Sequence, residues 1–196
     1  MLKVGKYTTL AVNNDEFELI VNTIRTGFKD LDGVNRRPNN KVATALIIET
    51  NLGIRISDIV KLTLKDIVKD GTHYRLDIIE KKTKKVRQHT VPTVFYQYLK
   101  DYCENNHISS TARIIPVTTR DVQKLTKQAV DFLGLDRVST HSFRKMAGNE
   151  IYESTNHDIV AVQEFYKHSN TSTTQVYLKR SSAQLERVLE QRVKLI

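Results

Sequence analysis

A chain of 196 residues is long enough to bury one substantial core, so a single domain is the default organisation. Its 31 Lys and Arg against 22 Asp and Glu leave a formal charge of +9, which points to a polyanion such as nucleic acid, with an anionic membrane surface as the competing reading. No stretch approaches the roughly 18 to 20 apolar residues of a spanning helix, and the opening MLKVGKYTTL lacks the apolar centre of a secretory signal, so a soluble cytoplasmic protein with no membrane partner is expected. The lone Cys103 excludes an intramolecular disulfide and a Cys-based zinc site, and is read as a small buried hydrophobe.

Taken in order, the elements are mostly helices with one β segment. Asn13, with Glu16 three residues on, has the pattern of a helix cap, and Phe17, Ile20, Val21, Ile24 and Phe28 then follow helical spacing. FKDLDGVNRRPNN mixes Gly, Pro, Asn and charge and is read as a surface loop. KVATALIIETNLG reads as a buried helix stopped at Gly53. From HYRLDIIE to VRQHTVP the period becomes two, with Tyr74, Leu76 and Ile78 on one face, which predicts a β-hairpin whose tip, KKTKK, is basic. Four further helices are predicted from about Thr93, Thr119, Thr140 and Asn156, the second carrying Val122, Leu125, Ala129 and Phe132 and closed by Gly134. Neither a repeat nor a linker composition interrupts the chain.

Several residues stand out for chemistry. Lys81 to Arg87 places five cations in seven residues at the predicted turn, which alone is most simply a solvated face. His141 and Arg144, three apart, share one side of a helix near its N-terminus, where free backbone N–H groups favour an anion. Arg55 lies between a helix stop and GIRISDIVKL, where it either pairs with Asp58 or points into a cleft. His168 and Tyr177 are nine residues apart in YKHSNTSTTQVY, and a Tyr among Ser, Thr and Gln is commonly a surface residue.

Together and in this order the segments resemble the tyrosine recombinases, the phage-integrase type of site-specific DNA recombinase. NLGIRISDIVKL is similar to that family's first box and maps its Arg to Arg55; THSFRKMAG resembles the second, His-x-x-Arg, and maps to His141 and Arg144; YKHSNTSTTQVY resembles the third and maps to His168 and the nucleophile Tyr177. The family's catalytic Lys lies at a hairpin turn between the first two boxes, a place that KKTKK occupies, with Lys82 in the matching register and Lys84 the neighbour presented by a one-residue slip. The resemblance implies an α+β fold, mostly helical with a small antiparallel hairpin. Residues 1–196 are then a catalytic domain without the usual N-terminal core-binding domain, and 183–196 a tail helix bearing Leu185, Val188, Leu189 and Val193. One departure is Lys167, where the family commonly has Gly before the third-box His.

The implied partner is double-stranded DNA, held by a tetramer whose subunits exchange tail helices. The implied chemistry agrees with the residue types. Two guanidinium forks can meet the charge developing on phosphate oxygens, a Tyr hydroxyl can attack the phosphodiester, and the 3′-phosphotyrosyl bond conserves the energy of the cut backbone for rejoining. No cofactor is expected, and no Asp or Glu cluster marks a metal site. Two alternatives remain: a type IB topoisomerase, which uses a similar residue set to relax supercoils, and a basic DNA-binding accessory protein without catalysis.

Overall fold

The computed structural model describes residues 9–79 and 86–167. Helix α1 spans Asn14–Thr26, and its start follows from local hydrogen bonding: the Asn13 side chain accepts from the Glu16 N–H while the Glu16 carboxylate accepts from the Asn13 N–H, both at 2.9 Å. Helix α2, Asn40–Leu52, has nine of its thirteen residues buried, which makes it the central rod rather than a surface element. It packs against α1, α5 (Thr119–Phe132), α6 (Thr140–Ser154) and the short α3 (Ile56–Ile59). Ile20, Ile24, Leu46, Ile48, Leu99, Val122 and Phe143 are among the fully enclosed side chains of the resulting core.

The predicted hairpin is present as strands β4 (His73–Ile79) and β5 (Val86–Val91), paired antiparallel from Tyr74 opposite Val91 to Ile79 opposite Val86. Leu76 is buried and Tyr74 and Ile78 half-buried, as the alternation requires. A preceding strand not foreseen in the sequence, β3 (Ile67–Asp70), adds to the other edge of β4 and makes the sheet three-stranded. Helix α4 (Thr93–Asn105) follows the sheet, stacking Tyr96 on Tyr74 with ring centroids 3.7 Å apart, and buries Cys103 as expected.

Two expectations are corrected. The segment after α1 is not featureless loop: two-residue strands β1 (Phe28–Lys29) and β2 (Asn35–Arg36) pair across a turn. The buried Asp30 organises that turn, accepting from the Val34 and Asp32 N–H groups and from Arg36 Nε at 2.7 Å. Phe28 consequently keeps a core position but lies outside α1, which stops at Gly27. Helix α7 spans Ile159–Tyr166 rather than starting at Asn156, because Asn156 and His157 adopt left-handed backbone and the Asp158 side chain caps the Val160 N–H at 2.7 Å.

α7 ends on Lys167 with φ 53° and ψ 41°, the left-handed conformation that glycine adopts without strain. Its ammonium lies 3.8 Å from Glu164 at a largely solvated site, a contact of small value. Lys167→Gly is therefore expected to stabilise the domain by about 0.5 to 1 kcal/mol, relief of left-handed strain exceeding the added flexibility of the unfolded chain. Chemical denaturation of the two proteins checks this; a variant less stable than the parent would show that the lysine side chain does more than tolerate the turn.

Candidate active site

The first candidate, Arg55, caps the N-terminus of α3 with extended backbone, its carbonyl accepting from the Asp58 and Ile59 N–H groups at 2.8 and 3.0 Å. The side chain is exposed and, among the described residues, forms no ion pair with Asp58, one of the two placements left open by the sequence. What delivers it there is the abrupt end of α2 at Gly53, whose φ of 57° turns the chain out of the core within two residues.

His141 and Arg144 sit in the first turns of α6, where the Ser139 N–H donates to Ser142 Oγ at 3.0 Å. The two side chains have opposite fates. His141 reaches solvent, whereas Arg144 is 2% exposed. Loss of hydration, then the charges of Arg144, Arg55 and Lys145, hold the His141 pKa below the usual imidazole value of 6.5. Arg55 and Arg144, far apart in the chain, thus act on one imidazole, and the structure brings together these three of the six residues singled out in the sequence. Lys82, His168 and Tyr177 lie outside the described residues, as do the neighbouring Lys84 and the tail 183–196.

Three residues that sequence reasoning did not single out complete the surroundings. Lys145, itself buried, donates to the Thr9 carbonyl at 2.5 Å and so fixes the N-terminal segment against α6. Tyr166, at the end of α7, places its ring 4.6 Å from Arg144 Cζ and donates its hydroxyl hydrogen to the Arg144 carbonyl oxygen. Glu49, on α2, is 0% exposed and neither carboxylate oxygen has a hydrogen-bond partner. Burial drives its pKa well above the usual carboxylate range, with the Arg144 charge pulling the other way. An acid inside the apolar run VATALIIETNLG was a visible anomaly; nothing distinguished Tyr166. Beside these groups a cleft of about 240 Å³ opens between β5 and α7, floored by Leu52 and Phe165 and edged by His89, Glu164 and Lys167. Among the described residues no group of three or more His, Cys, Asp or Glu is placed to hold a metal ion, and no helix is long and apolar enough to cross a membrane.

A mostly helical α+β domain that sets an Arg at a helix start beside a His-x-x-Arg helix defines a class, and comparison with known proteins agrees. The phage integrase family pattern matches residues 9–184; the chain belongs to that family. It is 33% identical over 137 residues to the probable integrase/recombinase YoeC of Bacillus subtilis strain 168, covering 67% of this chain and 74% of that protein. It is 26% identical over 182 residues to the tyrosine recombinase XerC of Caldanaerobacter subterraneus subsp. tengcongensis, covering 87% of this chain and 47% of that one. The fold matches XerH recombinase in a post-cleavage complex with its difH substrate (TM-score 0.65, 19% identity, 96% of this chain and 55% of that one). It also matches a lambda integrase dimer bound to a COC′ core site (TM-score 0.67, 18% identity, 90% and 51%). The chain therefore spans about half the length of XerC, XerH and lambda integrase.

Glu49 generates a pH prediction. An acid whose folded pKa is raised takes up a proton on folding, so it costs nothing below its ordinary value of 4.5 and lowers stability progressively as pH rises above that value toward the folded one. Glu49→Gln removes this cost. Relative to the parent it should be unchanged near pH 4 and more stable near pH 7, read from denaturation midpoints at the two values. A loss of stability that appears near pH 7 and not near pH 4 would mean that the ionised carboxylate supports Arg144.

Proposed function

We propose that the chain is the catalytic part of a site-specific DNA recombinase or integrase that cuts and rejoins DNA through a covalent 3′-phosphotyrosyl intermediate, in integration or excision of a mobile element or phage. The observation that carries this reading is the convergence of Arg55 and Arg144 on His141, in a chain whose family membership supplies the nucleophile position. XerH is matched in complex with its difH substrate, and lambda integrase bound to a COC′ core site. The net charge of +9 suits a phosphate backbone, with affinity expected to fall as salt rises.

In this mechanism the Tyr177 oxygen attacks phosphorus, forming the phosphotyrosyl bond as the bond to the 5′ oxygen breaks. His141, whose lowered pKa keeps it neutral near neutral pH, accepts the Tyr177 proton or hydrogen-bonds the phosphate. Arg55 and Arg144 neutralise the non-bridging oxygens, His168 donates to one of them, and Lys82 protonates the departing 5′ oxygen. A second 5′ hydroxyl then attacks the phosphotyrosine, so bond energy is exchanged rather than lost to water. Assembly into a DNA-bound tetramer through exchange of the 183–196 tail belongs to the same reading. A type IB topoisomerase would give the same covalent step but relax supercoils as a monomer. A non-catalytic accessory protein would give no adduct at all.

Tyr177→Phe deletes only the hydroxyl and should abolish covalent adduct with nicked duplexes while leaving DNA binding and thermal stability intact; an adduct in that variant refutes the nucleophile assignment. The general acid is tested by replacing the bridging 5′ oxygen with sulfur, which leaves without protonation. Lys82→Ala should be slowed by roughly 10² to 10⁴ on oxygen and rescued on sulfur, whereas Arg55→Ala and Arg144→Ala should be slow on both. Rescue of Lys84→Ala instead would move the acid to that residue.

A further inference from the structure

α7 ends on two aromatic residues, and each presses on a glycine of an earlier box. A Cβ built on Gly53 would come 2.6 Å from Phe165 Cζ, and one built on Gly148 would come 2.8 Å from Tyr166 Cε2 and Cζ. Both distances lie far inside van der Waals contact, so any side chain at either position would push its ring away. Gly53 stands two residues before Arg55, and Gly148 one helical turn after Arg144. The pair Phe165 and Tyr166, with centroids 5.2 Å apart, is therefore seated on the first and second boxes at once, where the third begins.

Tyr166 does more than fill volume. It is 1% exposed, its hydroxyl is spent on the Arg144 carbonyl oxygen, and the Arg144 guanidinium lies over its ring with Cζ 4.6 Å from the centroid. A leucine would fill such a space with no polar atom to satisfy. An aromatic face restricts a long flexible cation while leaving its positive charge and outward N–H groups for an incoming anion. A carboxylate in the same place would compete with that anion for the same donors.

We propose that Tyr166 is a positioning residue for Arg144, holding its guanidinium in the orientation that meets the scissile phosphate and tying that orientation to the placement of the third box. The assignment of a phosphate to Arg144 rests on the recombinase reading; the ring under the guanidinium does not. A ring packed against the guanidinium lowers the ordering that remains to be done when substrate binds.

The full chain allows two measurements. In the arginine Nε–Hε correlation spectrum, the Arg144 signal, identified by its loss in Arg144→Lys, should be displaced upfield by the Tyr166 ring. It should stay displaced in Tyr166→Phe and return toward the other arginines in Tyr166→Leu and in Gly148→Ala, which pushes the ring aside without touching either side chain. The second measurement is single-turnover adduct formation on a nicked duplex that the protein itself selects from a random-sequence library, with either phosphate or methylphosphonate at the scissile position. Tyr166→Leu should be slowed about 10- to 100-fold on phosphate and within about threefold of the parent on methylphosphonate, where less charge has to be met; Tyr166→Phe should keep most of the rate. Equal slowing on both backbones, or an undisplaced Arg144 signal in the parent, would overturn the proposal. Should Tyr166→Leu not fold, Gly148→Ala carries the same comparison. If the parent forms no adduct, it is the recombinase reading that fails, and the spectrum alone decides the role of the ring.

Discussion

The constraint on which the site depends is a permanent positive charge kept almost out of water. Arg144 cannot shed its proton in response to burial, so the fold has to supply what solvent would have supplied. An aromatic face is part of that supply: Tyr166 lies under the guanidinium, while Glu49, which senses the Arg144 charge, is driven toward its neutral form by burial on α2. A fully ionised partner would lower the cost of burying Arg144 but would also hold the donors that a phosphate needs.

That arrangement requires three segments distant in sequence to meet closely, and small residues set the distance of approach. α2 reverses at Gly53 and releases Arg55 toward solvent, while the same glycine admits Phe165. Gly148 admits Tyr166 against α6. Because α2 is the central rod and α6 packs along it, the end of α7 is referenced to both at once. Rigid elements therefore fix the backbone that carries His141 and Arg144, and groups held on helices are placed more closely than groups held on loops.

Legibility in the sequence followed the range of the interactions. The α1 cap, the end of α2 at Gly53 and the β4–β5 hairpin depend on neighbours within a few residues, and each was readable as a local pattern. β3 was not, since its four residues are a strand only because β4 offers an edge, and the β1–β2 turn was hidden by a composition typical of loops although Asp30 buries itself there. At the site, Arg55, His141 and Arg144 were named by the resemblance of their segments to the family's boxes, but their unequal exposure was not legible, because burial depends on which helices cover α6. Tyr166 was invisible for the same reason: its meaning lies in Gly148 and Arg144, on another helix. Lys167 illustrates the converse case, a residue that departs from the family pattern while its backbone keeps the left-handed turn that a glycine would provide.

On the proposed recombinase reading, the two arginines would reach the same phosphate chemistry from different starting points. Arg55 is exposed on a short helix start and, among the described residues, unpaired with its acidic neighbour Asp58, so it retains hydration and conformational freedom until an anion arrives. Ordering it has to be offset by binding, which suits a group that attracts the backbone from solution and tolerates many approaches. Arg144 has already lost most of its water during folding, so in the proposed reaction it would contribute little to capture and most where charge grows during phosphoryl transfer. His141 is kept below its usual imidazole pKa first by loss of hydration and then by the charges of Arg144, Arg55 and Lys145, so in the proposed reaction it would start neutral and able to accept a proton.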